Sequence, residues 1–247
     1  MNPAEFSNIA SAEEGFWWYR GMRRIMFRLL DPLFAARPLQ RVLEAGCGTG
    51  HFAKAVAGRY GAPLCAIDLG WPGLEQARRY GLKRLAQADV AALPFADAAF
   101  DLVLSMDVIV HFPLGEEDRA MRELARILAP SGILVLRVAA LDALRSRHSQ
   151  FAHERQRFTR GRVCRLAERH GLKVLRATYA NSLLLPVAWA KFRLWEPFLR
   201  RPPESGVQGV SPWLDRLLYQ PLSWESHWIG AGRNLPLGQS LILIAEK

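Results

Sequence analysis

The chain is poor in the features that would make it a disulfide scaffold, a zinc protein or a membrane span. Its 247 residues include only three cysteines, Cys47, Cys65 and Cys164. They are scattered, odd in number and without C-x-x-C spacing, which argues against both a disulfide framework and a zinc site. No run approaches the ~18 apolar residues of a membrane-crossing helix. The richest patch, Leu183–Ala190, stops at Lys191. Residues 1–15 carry three glutamates and no apolar core, so a secretory leader is not expected. Internal repeats and low-complexity tracts are missing too. The expectation is a reducing, cytoplasmic, soluble protein, with peripheral contact to the inner face of a membrane left open.

What is present is a large core and an uneven charge. Half the residues are hydrophobic and 23% are charged, which rules out global disorder. The net charge of +10 is not spread along the chain. Residues 1–136 hold 15 basic and 15 acidic side chains, residues 137–201 hold 15 and 4, and residues 202–247 hold 3 and 4. The whole excess lies in one block, which is expected to bear on the partner.

Hydrophobic periodicity alternates strands and helices. Strands are expected within 41–45, 63–68, 83–89, 100–106, 133–138, 172–179 and 240–245. Helices are expected over 51–60, 72–80, 116–128 and from Thr159, as cap, to His170, stopped by Gly171. An amphipathic helix over 16–30 is expected to end at Asp31-Pro32. This pattern predicts one α/β domain with a largely parallel sheet. The predicted division is an N-terminal lid (1–37), a core (38–180), an inserted cap (181–238) and a final strand (239–247). The insertion holds five of the eight tryptophans. An ordered cap of short helices is expected there, loosest at Pro202–Gly206, because a structureless loop of that length would be unusual.

The first strand runs into Glu44-Ala45-Gly46-Cys47-Gly48-Thr49-Gly50. Glycines at every second position let the backbone take positive φ and approach a ligand closely. A dinucleotide fingerprint would need a small residue where His51 stands, and the G-K-[ST] of a triphosphate loop is absent. Asp68 ends the next strand, where this architecture grips ribose hydroxyls. Asp89 ends the one after, beside the expected place of an adenine amino group.

Taken in order, E-A-G-C-G-T-G, I-D, A-D-V, F-D-L-V and R-I-L-A-P-S-G-I-L resemble the motif set of class I S-adenosylmethionine-dependent methyltransferases, of the methyltransferase domain 11 type. The resemblance covers roughly 38–180 and implies a Rossmann-like, seven-stranded, mostly parallel sheet with helices on both faces. F-W-W-Y-R-G-M-R-R (16–24), H-E-R-Q-R-F-T-R (153–160) and N-L-P-L-G-Q-S-L (234–241) resemble a bacterial subgroup associated with lipid, glycan or secondary-metabolite pathways. The chain departs from that subgroup at Val138-Ala139-Ala140 and at His148-Ser149, both near the implied acceptor pocket.

The resemblance implies S-adenosyl-L-methionine as cofactor. Gly46, Gly48 and Gly50 would surround its methionine part, flanked by Glu44, Ala45, Cys47 and Leu69. Asp68 would take the ribose, Asp89 and Val90 the adenine. Met106 and Asp107 would stand between cofactor and acceptor. Trp18 is expected in a lid, with Arg20 or Arg24 reaching the cofactor carboxylate. Methyl transfer is an in-line displacement needing alignment and desolvation. A base matters only if the acceptor proton leaves early. His111, His148 and Asp107 are the candidates for catalysis, weighed against structural or exposed roles; no metal ligand spacing is present. The expected acceptor is a small or lipid-linked molecule, hydrophobic and anionic. Trp189, Phe192, Trp195 and Phe198, beside Lys191, Arg193, Arg200 and Arg201, read either as a cap helix or as a face for an anionic membrane. RNA is the rival partner, disfavoured because Ser105-Met106-Asp107-Val108 lacks the motif of adenine amino-methylating enzymes.

Overall fold

A computed structural model of the chain describes residues 2–35, 38–199, 202–207 and 209–247. Seven strands form one sheet in the order β3-β2-β1-β4-β5-β7-β6. They are β1 (Val42–Ala45), β2 (Leu64–Asp68), β3 (Leu85–Gln87), β4 (Phe100–Met106), β5 (Leu128–Ala139), β6 (Lys173–Ala180) and β7 (Ser240–Glu246). Only β7 runs antiparallel to its neighbours, opposing Val135 to Ile244 on one side and Ile244 to Arg176 on the other. The chain reverses direction across the sheet between β1 and β4, and such a switch point leaves a crevice at the carboxyl ends of the strands.

The central strands are buried on both faces, as parallel strands flanked by helices must be. Along β1, Leu43 packs into the layer holding Met121 and Leu124 of α5 (Glu117–Ile127), with Val163 and Leu166 of α7 (Arg160–Arg169). Val42 faces the opposite layer, with Met22, Ile25 and Leu29 of α2 (Trp17–Phe34) and Val56 of α3 (His51–Tyr60). α4 (Trp71–Arg79) lies between β2 and β3.

Several local expectations are corrected. α2 does not stop at Asp31-Pro32 but continues to Phe34. Pro32 removes only a last-turn hydrogen bond, and burial of Phe34 against Tyr60 offsets that loss. Thr159 sits at the α7 N-cap without bonding through its hydroxyl; the Arg160 amide donates instead to the Tyr179 hydroxyl. β5 begins five residues earlier than expected, with a register irregularity opposite Phe100–Leu102. The N-terminal lid expected over 1–37 holds two helices, α1 (Pro3–Ala12) before α2, and the short α6 (Arg147–Phe151) arises where no helix was expected.

The 181–238 segment is not a cap of short helices throughout. α8 (Leu185–Ala190), a π-helical stretch (Lys191–Trp195) and α9 (Glu196–Leu199) are short, but α10 (Pro212–Gly230) runs 19 residues along α2. Gly21 makes that approach possible: a Cβ there would meet Leu222 at 2.5 Å. Arg20 pairs with Asp215, and Arg24 reaches Ser226 and Tyr219, so both arginines expected at the cofactor are spent on α10. Arg200 and Arg201 lie outside the described residues.

The basic block is neutralised in part within the fold, six of its thirteen described cations standing in ion pairs. Arg145, Arg157, Arg162 and Arg169 face Asp142, Glu154, Glu117 and Asp118. Arg137 and Arg147 pair with Asp107 and with Glu204. Surplus positive charge in the sequence is therefore not a cationic surface of the same size.

Candidate active site

The crevice at the switch point opens into a cavity of about 930 Å3 bounded by the ends of β1, β2, β4 and β5. The glycine turn forms its floor. The amides of Gly46 and Cys47 both donate to the Ile67 carbonyl at 2.8 Å, fastening the turn to β2. Gly46, Gly48 and Gly50 have φ of +81°, +55° and +76°. A Cβ on Gly46 would lie 2.2 Å from Val108, so a side chain fails there on conformation and on space. Gly46→Ala is expected to cost about 2–4 kcal/mol through left-handed strain plus overpacking. A lowered thermal midpoint with lost cofactor binding would show this; an unchanged midpoint would refute it.

Asp68 stands at the rim with both carboxylate oxygens engaged. Oδ2 accepts from the Gly48 amide and Oδ1 from the Gly70 amide, each at 2.7 Å. Burial raises its pKa, while these two amides work against the rise. Oxygens held by backbone keep lone pairs directed outward, a geometry suited to a diol. Asp89 Oδ1 accepts from the Ala91 amide at 2.8 Å, forming a local turn that presents Asp89 and Val90 to the cavity. Glu44, Gly46, Cys47, Gly48, Leu69, Met106 and Trp18 line the same space. Ala45 and Gly50 do not: Ala45 is fully buried in the core, and Gly50 leaves room for Ala77 and Leu82. Cys47 is buried and its thiol is pushed well up, so it is no nucleophile.

Glu44 is 1% exposed, and burial pushes its carboxyl up to about 8 against the opposing pull of Arg137. Its Oε2 has no hydrogen-bond partner among the described residues. A buried carboxylate oxygen without a donor is costly and calls for a cation from outside.

The far wall carries the candidate acid–base groups. His111, in a 3-10 turn (Ile109–His111), has Nδ1 3.2 Å from the His153 carbonyl. A carbonyl only accepts, so Nδ1 bears the proton and Nε2 keeps its lone pair. Burial lowers the His111 pKa, which keeps that lone pair free near neutrality. His148 is the reverse: its Nδ1 accepts from the Gly206 amide at 3.0 Å, leaving Nε2 as the protonated nitrogen. As a base His148 is therefore corrected to a latch, also 3.7 Å from Glu5. Asp107, at φ +57°, gives Oδ2 to Arg137 Nε and Nη2 at 2.9 and 2.5 Å. It positions Arg137 and is a poor base while so paired. The Arg137 guanidinium in turn lies 4.9 Å from the Trp18 ring centroid.

Glu13, Arg23 and Arg137 are among the lining residues that the sequence did not single out. Glu13 accepts from the Thr49 hydroxyl and closes α1 over the glycine turn. Arg23 lies 3.3 Å from His51, whose pKa burial lowers first and Arg23 lowers further. Only the spacing of Arg23 on the amphipathic α2 hinted at such a role.

Residues 43–136 match the family described as "Methyltransferase domain". Over 124 residues the chain is 36% identical to a Mycobacterium tuberculosis protein named "Probable S-adenosylmethionine-dependent methyltransferase", covering 50% of this chain and 42% of that one. Residues 43–136 carry a methyltransferase domain. The methyltransferase domain is also 37% identical over 130 residues to a malonyl-[acyl-carrier protein] O-methyltransferase of Enterobacter lignolyticus, covering 51% of each. The chain thus spans about half the length of the curated relatives it matches. A crystal structure of an Archaeoglobus fulgidus S-adenosylmethionine-dependent methyltransferase superposes with a TM-score of 0.59 at 16% identity, over 92% of this chain and 94% of that one. That similarity bears on fold alone.

The methyltransferase domain fits S-adenosylmethionine at the points its own atoms leave open. Glu44 Oε2 suits the amino group of the methionine part, and Asp68 the ribose. The absence of any lysine at the glycine turn agrees with a cofactor free of phosphates.

Proposed function

We propose that the whole protein transfers a methyl group from S-adenosylmethionine to a small or lipid-borne acceptor bearing an apolar body. The observation that carries this is one cavity whose lining combines the carboxyl groups of Glu44, Asp68 and Asp89 with apolar side chains that include Phe112, Phe192 and Leu218. When bound, the cofactor supplies a methyl on an already electrophilic sulfonium. The chain's own task is to hold, align and dry the reactants. Trp18 and Tyr19 exclude water from above, and burial holds the Tyr19 phenol protonated. His111 Nε2 takes the acceptor proton where one must leave. The anionic group expected on the acceptor would meet Arg137 or Lys191, both of which line the cavity.

The test is incubation with deuterated-methyl cofactor and fractionated cell extract, followed by mass spectrometry. A shifted product in the lipid or small-molecule fraction is expected. Label confined to bulk RNA would overturn the acceptor class in favour of the rival partner. Six of the thirteen described cations of the basic block are paired within the fold, which leaves fewer for a phosphate backbone than the sequence total suggests.

A further inference from the structure

Ten of the fifteen exposed large apolar side chains among the described residues fall between 183 and 228. On α10, Trp213, Leu217, Trp224 and Trp228 are 47–67% exposed. At 100° per residue they share about 60° of arc, roughly opposite buried Leu222 and Ile229. The stripe is about 22 Å long at 1.5 Å per residue. The α8–α9 run repeats the arrangement. Ala188, Phe192 and Glu196 turn inward, while Leu194, Trp195 and Phe198 are 62–83% exposed. Soluble proteins seldom leave so many aromatics together in water, and tryptophan belongs where one end of the ring meets an apolar phase and the other a wet one.

Charge selects the occupant. Every acid from 181 to 233 is buried or paired: Glu196 and Glu225 are buried, Glu204 pairs with Arg147, and Asp215 with Arg20. Lys191, Arg193, Arg216 and Arg233 are exposed in the same segment, and no ion pair is recorded for them among the described residues. The Arg233 guanidinium lies 4.4 Å from the Trp228 ring centroid, an arrangement that lets a charge sit above a buried ring. An aromatic face fringed by cations and cleared of free acids complements an anionic lipid surface. No helix among the described residues is long and apolar enough to cross a membrane, so the contact is with the surface.

We infer that the outer faces of α8–α9 and α10 seat the protein on an anionic lipid bilayer. Phe192 and Leu218, on the inner sides of the same helices, line the cavity, so the helices that carry the exposed aromatics also wall the cavity. The inference goes beyond methyl transfer and does not depend on it.

The test is co-sedimentation of the full chain with phosphatidylcholine vesicles, with and without phosphatidylglycerol. Binding should rise about tenfold or more with the anionic lipid and fall with salt. The double variants Trp224→Ala/Trp228→Ala and Trp195→Ala/Phe198→Ala should each lose at least about tenfold. Calorimetric cofactor affinity and thermal midpoint should be unchanged, because these side chains lie outside the cavity; this readout separates loss of seating from loss of the methyltransferase reading. Equal binding to both vesicles, or variants that bind like the parent, would overturn the inference. So would concentration-dependent self-association abolished by the same substitutions, which would give the face to a second copy of the chain.

Discussion

Asp68→Ala weakens cofactor binding by about 100-fold or more, read by calorimetry. Each hydrogen bond to a charged acceptor contributes about 1.5–3 kcal/mol, and the ribose offers two hydroxyls. A further cost comes from the amides of Gly48 and Gly70, which lose the oxygens they donate to. Asp68→Asn separates the two effects. An amide has one oxygen for two backbone donors, so one N–H is left facing an NH2 group. Asparagine should therefore recover part of the stability and little of the affinity. A cofactor affinity for Asp68→Ala within threefold of the parent would sink the ribose assignment.

Glu44→Gln has two opposite effects, and their signs follow from its pKa. Folding raises the carboxyl from the ordinary range to about 8. Between about pH 4.5 and 8 the folded state then binds more protons than the unfolded one, so stability without cofactor falls as pH rises through this window. The slope is at most about 1.4 kcal/mol per pH unit for one group. Glutamine removes that slope, and the thermal midpoint of the cofactor-free variant should exceed the parent's at pH 8 and match it near pH 4.5. Cofactor affinity should fall about tenfold or more, since a neutral amide cannot pair with the amino group. Binding to the parent near pH 7 should also release protons, visible as a buffer-dependent heat. A parent midpoint flat from pH 5 to 8 would contradict the buried charge.

The pattern of the fold was readable because each element announces itself locally. The alternating strands, the glycine turn and the acid at each strand end depend on neighbours in sequence. What was not readable depends on neighbours in space. Arg137 meets Asp107 because adjacent parallel strands place Met106 opposite Arg137, a register that no local pattern encodes. Arg20 and Arg24 looked free to reach a cofactor because Asp215 and Ser226 lie nearly 200 residues away in sequence. The basic block misled in part in the same way: Asp107, Glu117, Asp118 and Glu204, which pair with four of its arginines, lie outside the 137–201 window over which the charge was summed. His111 and His148 were indistinguishable in sequence, and only the atom each Nδ1 faces separates a free lone pair from a latch.

The union of α2 with α10 has a mechanical consequence. Two arginine clasps and the close approach of Leu222 to Gly21 bind the two helices over most of their length. One side of the pair is the ceiling of the cavity, through Trp17, Trp18, Tyr19 and Leu218; the other is the outward tryptophan stripe. They form a single beam, so a load applied to its outside surface is delivered to the ceiling.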